Sequence, residues 1–170
     1  MHFKFCPNCG NKLSGKTMGD EGEVPFCNRC DVPFFDMFST CVITLVANEH
    51  NEIVLLRQPY ISKRYRNLVS GYMKPGETAE LAAAREVKEE VGVTLDALRF
   101  VGTYWFGKKD MLMIGFIGKT KKCDLVLSEE VDGADWIPVS DAFEMVHPSG
   151  SVSHTLVAEY LKEICKLEVS

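Results

Sequence analysis

Residues 70–93 read SGYMKPGETAELAAAREVKEEVGV. A glycine-marked loop with Gly71, Pro75 and Gly76 leads into a stretch where Leu81, Ala84, Val87 and Val91 recur every three or four positions. That is the stripe by which an amphipathic helix packs on a core. Thr78 or Glu77 can cap its start, and Gly92 its end. On this helix Glu86, Glu89 and Glu90 stand at i, i+3 and i+4, so they share one face, with Arg85 beside them. Like charges at this spacing destabilise an isolated helix, and a hard cation would offset them. Carboxylate clusters with spare water positions suit Mg²⁺ or Mn²⁺, which in turn grip phosphate oxygens. Three glutamates alone would read as a solvated acidic face. The glycine loop ahead of them and the adjacent arginine favour metal-assisted phosphate chemistry.

Around that helix the chain from about residue 37 reads as one α/β domain. STCVITLVAN (39–48) and EIVLLRQ (52–58) are rich in branched residues and form a predicted hairpin. Strand-like stretches follow at LRFVGTYWF (98–106), MLMIGFIGKT (111–120), CDLVLS (123–128) and ADWIPV (134–139). SDAFEMV (140–146) and VSHTLVAEYLKEICKL (152–167) read as helices, the second with a stripe through Leu156, Tyr160, Leu161 and Ile164.

Toward the N-terminus, four of the seven cysteines form two Cys-x-x-Cys pairs, Cys6 with Cys9 and Cys27 with Cys30, separated by 17 residues. Each pair can make a turn whose thiolates converge on one ion, and two such turns complete the four-thiolate shell of a structural zinc site. The intervening stretch is glycine-rich and polar, so Zn²⁺ binding would supply most of its folding energy. With every ligand position filled by thiolate, such a zinc would be structural and not catalytic. Cys41, Cys123 and Cys165 stand alone.

The 170 residues are enough for one packed core and a small accessory module. A net charge of −5 argues against bulk electrostatic wrapping of nucleic acid. The first residues lack the apolar run of a signal peptide, and no apolar run approaches the roughly 20 residues that span a bilayer. A cytoplasmic protein without a membrane partner is expected, in a compartment where clustered cysteines bind metal in preference to forming disulfides.

Residues 71–93 resemble the Nudix hydrolase signature G-x5-E-x7-R-E-U-x-E-E-x-G-U at every defined position: Gly71, Glu77, Arg85, Glu86, Val87, Glu89, Glu90, Gly92 and Val93. The resemblance implies an α/β/α sandwich with a mixed β-sheet over residues 37–170, preceded by the four-cysteine zinc ribbon at 1–36. It also implies hydrolysis of a nucleoside diphosphate linked to another moiety. Glu86, Glu89 and Glu90 would hold Mg²⁺ or Mn²⁺, with the Gly71 carbonyl as a further ligand. Glu77 would pair with Arg85 to orient the acids. Glu130, with Glu129 as its rival, fits the place of a further glutamate that the family draws from a later loop. Water acidified by the ion would attack one phosphorus, with Glu90 or Glu86 as the base.

A zinc ribbon directly ahead of such a domain is similar to the NADH pyrophosphatase branch of the family, and the likeness runs from Cys6 to about Lys166. That branch splits NAD(H) into AMP and nicotinamide mononucleotide and acts on NAD-capped RNA. Its S-Q-P-W and P-F-P segment is replaced here by GTYWFGKKD (102–110), leaving Trp105 alone, so the specificity element is changed. Members often carry a further domain ahead of the ribbon; here the ribbon starts at Cys6, and binding residues from such a domain are not expected. Tyr72 and Trp105 are candidates to stack a base or nicotinamide ring, Tyr72 with a structural role as an equal alternative. ADP-ribose or another sugar nucleotide or dinucleotide is the alternative substrate class. A non-catalytic nucleotide-binding module is disfavoured by the intact acids. Family resemblance also suggests a homodimer.

Overall fold

The computed structural model describes residues 3–167. The chain divides into two compact units, with the boundary in sequence between Ser39 and Thr40.

The N-terminal unit is a three-stranded antiparallel sheet in the order β1-β2-β3, formed by β1 (Ser14–Thr17), β2 (Glu23–Cys27) and β3 (Val32–Pro33). Every residue of β1 is exposed, and among the described residues of the unit the buried ones are Cys6, Val24, Phe26 and Cys27. The polar stretch between the cysteine pairs is therefore a hairpin, closed at Met18 N–H to Gly22 O (2.8 Å), where Gly22 takes φ 71°. So few buried side chains cannot offset the conformational entropy of ordering this unit.

The second unit is built on a six-stranded mixed sheet with helices on both faces. Its strands are β4 (Ser39–Ala47), β5 (Glu52–Arg57), β6 (Val69–Tyr72), β7 (Ala97–Phe106), β8 (Met111–Lys119) and β9 (Gly133–Pro138). The order is β7-β8-β4-β5-β9, with β6 also paired to β4. Period-two alternation sorts the central strands. Ile43, Leu45, Ala47, Ile53 and Leu55 face α2 (Val139–Met145) and α3 (Val152–Leu167), in one cluster with Ala142, Leu156, Val157 and Tyr160. Val46, Val54, Leu56 and Val69 face α1 (Ala79–Val91), in a second cluster with Val87 and Val91. Burial on both faces explains why β4 reads as a continuous apolar run with no polar alternation.

Thr78 caps α1, its Oγ1 accepting from Leu81 N–H at 3.3 Å; Gly92 ends it in the left-handed region at φ 73°. Three expectations need correction. Leu81 is 61% exposed and Ala84 is exposed; the buried arc runs through Ala82, Ala83, Val87, Glu90 and Val91. Leu81 lies about 160° round the helix from Ala83 at 100° per residue, and the sheet determines which side is covered. Gly71 is not in a loop but in β6, opposite Val42 of β4. Residues 123–128 are not a strand: Val126 and Ser128 donate their N–H groups to the last carbonyls of α1, Val91 O (3.0 Å) and Glu90 O (3.1 Å), in place of a sheet partner.

Candidate active site

The C-terminal half of α1, the end of β6 and the turn after β5 meet at one side of a cleft of about 1360 Å³ in the second unit. Glu86, Glu89, Glu90, Gly71, Tyr72, Trp105 and Glu130 all line it; Glu129 is not among its lining residues. The acids do not share one environment. Glu90 is 5% exposed, the Glu86 side chain is mostly covered, and Glu89 is open to solvent. Helical spacing supplied the common side, while depth follows from how the helix rests on the sheet.

Arg85 is the hub of the cluster. Its Nε and Nη2 grip both oxygens of Glu77 at 3.0 and 2.7 Å, the geometry a guanidinium fork favours. Its Nη1 donates to Glu86 Oε1 (2.6 Å) and Glu89 Oε2 (2.9 Å), and its Nη2 also reaches the Tyr72 carbonyl (3.1 Å). This pairing holds the Glu77 carboxyl down at about 2. Glu77 also accepts from the Lys74 N–H, which fixes the turn ahead of the helix.

Gly71 has a steric reason. A Cβ at this position would lie 2.0 Å from Cδ of Glu86, so only glycine lets that carboxyl lie against the strand. Glu90 Oε1 accepts from Gln58 Nε2 at 3.2 Å, while its Oε2 is buried without a partner. Burial, and next the Glu86 charge, push the Glu90 carboxyl up to about 7.

An orphaned buried carboxylate oxygen and an oxygen-only donor set fit a hard divalent cation. The glutamates do not converge as a closed shell, however, because Arg85 occupies one oxygen each of Glu86 and Glu89. Among the described residues, the cluster that closes on a metal-sized point is the cysteine quartet. The sulfurs of Cys6, Cys9, Cys27 and Cys30 lie within 4.8 Å of one another, with Cys6–Cys30 at 3.9 Å and Cys9–Cys27 at 3.5 Å. Four thiolates on a tetrahedral zinc would stand about 3.8 Å apart for bonds of ~2.3 Å, so the quartet fits. Cys30 N–H donates to Cys27 Sγ at 3.4 Å and lowers the pKa of that thiol, while the neighbouring sulfurs raise that of Cys30 and burial raises that of Cys6.

Exposed aromatic surface also lines the cleft: Tyr72 (55% exposed) at the end of β6, next to the acids, and Trp105 (58% exposed) on β7, with Lys74, Lys108 and Lys109 among the other lining residues. The motif reading missed two residues at the acid end, Gln58 and Tyr60. A signal existed: Gln58 continues the inward alternation of Val54 and Leu56, so a polar residue stands where β5 points toward α1.

The NUDIX domain model matches residues 37–156, and the chain belongs to that family. It is 29% identical over 161 residues to the "NAD-capped RNA hydrolase NudC" of Pseudomonas aeruginosa, covering 94% of this chain and 56% of that protein. To the protein of the same name from Vibrio atlanticus it is 28% identical over 173 residues, covering 99% and 61%. The chain thus spans little more than half the length of these relatives. A solved NUDIX hydrolase from Nitrosomonas europaea superposes with a TM-score of 0.72 at 20% identity, over 95% of this chain and 92% of that one. No helix among the described residues is long and apolar enough to cross a membrane.

Proposed function

We propose that the chain is a divalent-cation-dependent pyrophosphatase that splits NAD(H) into AMP and nicotinamide mononucleotide, and acts likewise on the NAD cap of RNA. The observation that supports this most is one cleft lined both by carboxylates and by exposed aromatic rings, a match for a diphosphate carrying flat rings. The relatives' name, NAD-capped RNA hydrolase, supports the same reading.

In this reading Glu86, Glu89, Glu90, Glu130 and the Gly71 carbonyl hold Mg²⁺ or Mn²⁺. The ion, when bound, neutralises diphosphate charge and acidifies water. Arg85 keeps Glu86 and Glu89 aimed at the cleft and is itself anchored by Glu77. Glu90 takes the proton from the attacking water in preference to Glu86, since its buried Oε2 lacks a hydrogen-bond partner. Tyr72 and Trp105 stack the rings of the substrate. The cysteine quartet carries a structural Zn²⁺ that completes residues 1–36 as a ribbon, in a reducing cytoplasm.

The test is product analysis with Mg²⁺ or Mn²⁺ on NADH, NAD⁺, ADP-ribose, FAD, diadenosine polyphosphates and nucleoside triphosphates. Turnover of NADH no faster than ADP-ribose removes the NAD(H) assignment and leaves the pyrophosphatase. Absence of turnover on all of them removes the enzyme.

A further inference from the structure

Gln58 lies just beyond β5 and is 2% exposed. Its carboxamide has two protons to give, and both have takers: Nε2 lies 3.2 Å from Glu90 Oε1 and 3.1 Å from the Tyr60 hydroxyl oxygen. The main-chain carbonyl of the same residue accepts from Ile61 N–H (2.9 Å) and Ser62 N–H (3.1 Å), closing the turn that carries Tyr60. One residue therefore fixes the buried acid and shapes the adjacent cleft wall. Tyr60 is 70% exposed and lines the cleft beside Glu90 and Glu130. Because its oxygen accepts from Gln58, its own hydroxyl proton is free to be donated elsewhere.

A carboxylate held through one oxygen still has a rotational choice unless its donor is held too. Gln58 is held, since it is buried, its backbone is locked into the turn, and a second proton is committed to Tyr60. The acid is thereby presented with Oε1 engaged and Oε2 left over. The roughly tenfold to hundredfold losses seen when outer-shell partners of ligating groups are removed give the scale of what such a donor does.

We propose that Gln58 is a positioning residue for Glu90, and that Tyr60, through its hydrogen bond to the Gln58 carboxamide, is the clamp that fixes Gln58. This rests on the reading of Glu90 as part of the hydrolytic site. The turn is closed by the Gln58 main chain, which a side-chain substitution leaves in place, so removing the carboxamide donor should slow the chemical step and weaken cation binding with little change in how the rest of the substrate is held.

The experiment compares wild type, Gln58→Met, Tyr60→Phe and the double variant, all as full chain. Gln58→Met keeps length and removes the donor. For it, kcat falls about tenfold to hundredfold with KM within about twofold, and the Mn²⁺ dissociation constant of the substrate-free protein rises by about tenfold. Tyr60→Phe, at an exposed position, lowers kcat about twofold to fivefold, and adds nothing in the Gln58→Met background. The proposal is overturned if folded Gln58→Met keeps wild-type kcat and Mn²⁺ affinity, or if its loss appears in KM alone. It is equally overturned if Tyr60→Phe matches wild type, or if the two losses multiply in the double variant. Should Gln58→Met not fold, Tyr60→Phe alone decides, by kcat and Mn²⁺ affinity. The Mn²⁺ titration needs no substrate, so a wrong assignment of NAD(H) leaves this test intact; wild-type inactivity on every substrate would overturn the proposed function, and the Mn²⁺ affinities of the variants would then decide the positioning role by themselves.

Discussion

The molecule has two clusters of metal-ligating residue types, and they are organised in opposite ways. The cysteine quartet is closed: short Cys-x-x-Cys turns bring four sulfurs to the spacing of a tetrahedral shell, in a unit with hardly any core of its own. The glutamate cluster is open: its acids sit at three depths on a helix that rests on a large apolar core, and one arginine nitrogen bridges two of them, taking an oxygen of each. The contrast teaches how fold and site depend on each other. In the first unit the site makes the fold, so the ligands must already converge. In the second the fold makes the site, so its carboxylates can stay partly unpaired, as the buried Oε2 of Glu90 does.

The largest effect that could break this contrast is loss of a sulfur. Cys27→Ser should abolish zinc retention through dialysis, and the N-terminal hairpin should lose its amide protection, since structural zinc binding supplies roughly 10 kcal/mol or more. Metal analysis together with hydrogen exchange checks it, and amides in β4 and β5 should stay protected. A hairpin that stays protected without metal would mean the unit folds on its side chains alone.

Next in size is Glu90→Gln, which should lower turnover about 10²- to 10⁴-fold if Glu90 is the proton acceptor. Its effect on stability runs the other way. The folded carboxyl titrates near 7, above its usual 4.5, so the native state binds the proton more tightly than the unfolded chain. Stability is therefore lost as pH rises between those values. Relative to wild type, metal-free Glu90→Gln should be more stable by about 1–3 kcal/mol at pH 8 and equal to it at pH 4. Denaturant melts at the two pH values measure this. A destabilised variant at pH 8 would mean the site is not strained in the absence of metal.

Arg85→Lys comes third. A point charge cannot span Glu77, Glu86 and Glu89 together, so kcat/KM should fall about tenfold to hundredfold. The acid arm of the stability profile should also shrink. In wild type the Glu77 contribution is present above pH 4.5 and disappears as pH falls toward about 2, a loss that needs the Arg85 partner. Smallest is Leu81→Ser, at a position that sequence periodicity assigns to the core and the fold leaves exposed. Thermal melts should shift by less than about 0.5 kcal/mol, where a buried leucine would cost several times that.

Much of the active region was legible because its signals are local. Thr78 and Gly92 mark helix ends by backbone chemistry, and the fixed spacing of Glu77 and Arg85 matches a salt bridge that forms with both oxygens. Depth was not legible. Periodicity says which residues share a side but not which side the sheet covers, so Leu81 was expected inside, and the three acids were expected together on one face with nothing to tell that Glu90 lies deepest. Gly71 looked like a turn residue because glycine usually marks turns, whereas its requirement comes from a carboxyl 15 residues later in the chain. CDLVLS carries the composition of a strand, yet its partners are helix carbonyls, and composition does not say who the partner is. Gln58 lay outside every motif, and only the alternation of β5 hinted at it.

The segment at residues 123–128 has a mechanical consequence. Ser128 N–H is fastened to the carbonyl of Glu90 itself, and Trp136 of β9 ties the other end of the segment down by donating from Nε1 to Cys123 O at 2.9 Å. Glu130 follows only two residues after Ser128. Its carboxylate thus reaches the cleft on a tether rooted in Glu90, and under the proposed function that tether would raise its effective concentration beside Glu90 without asking a long loop to find the site.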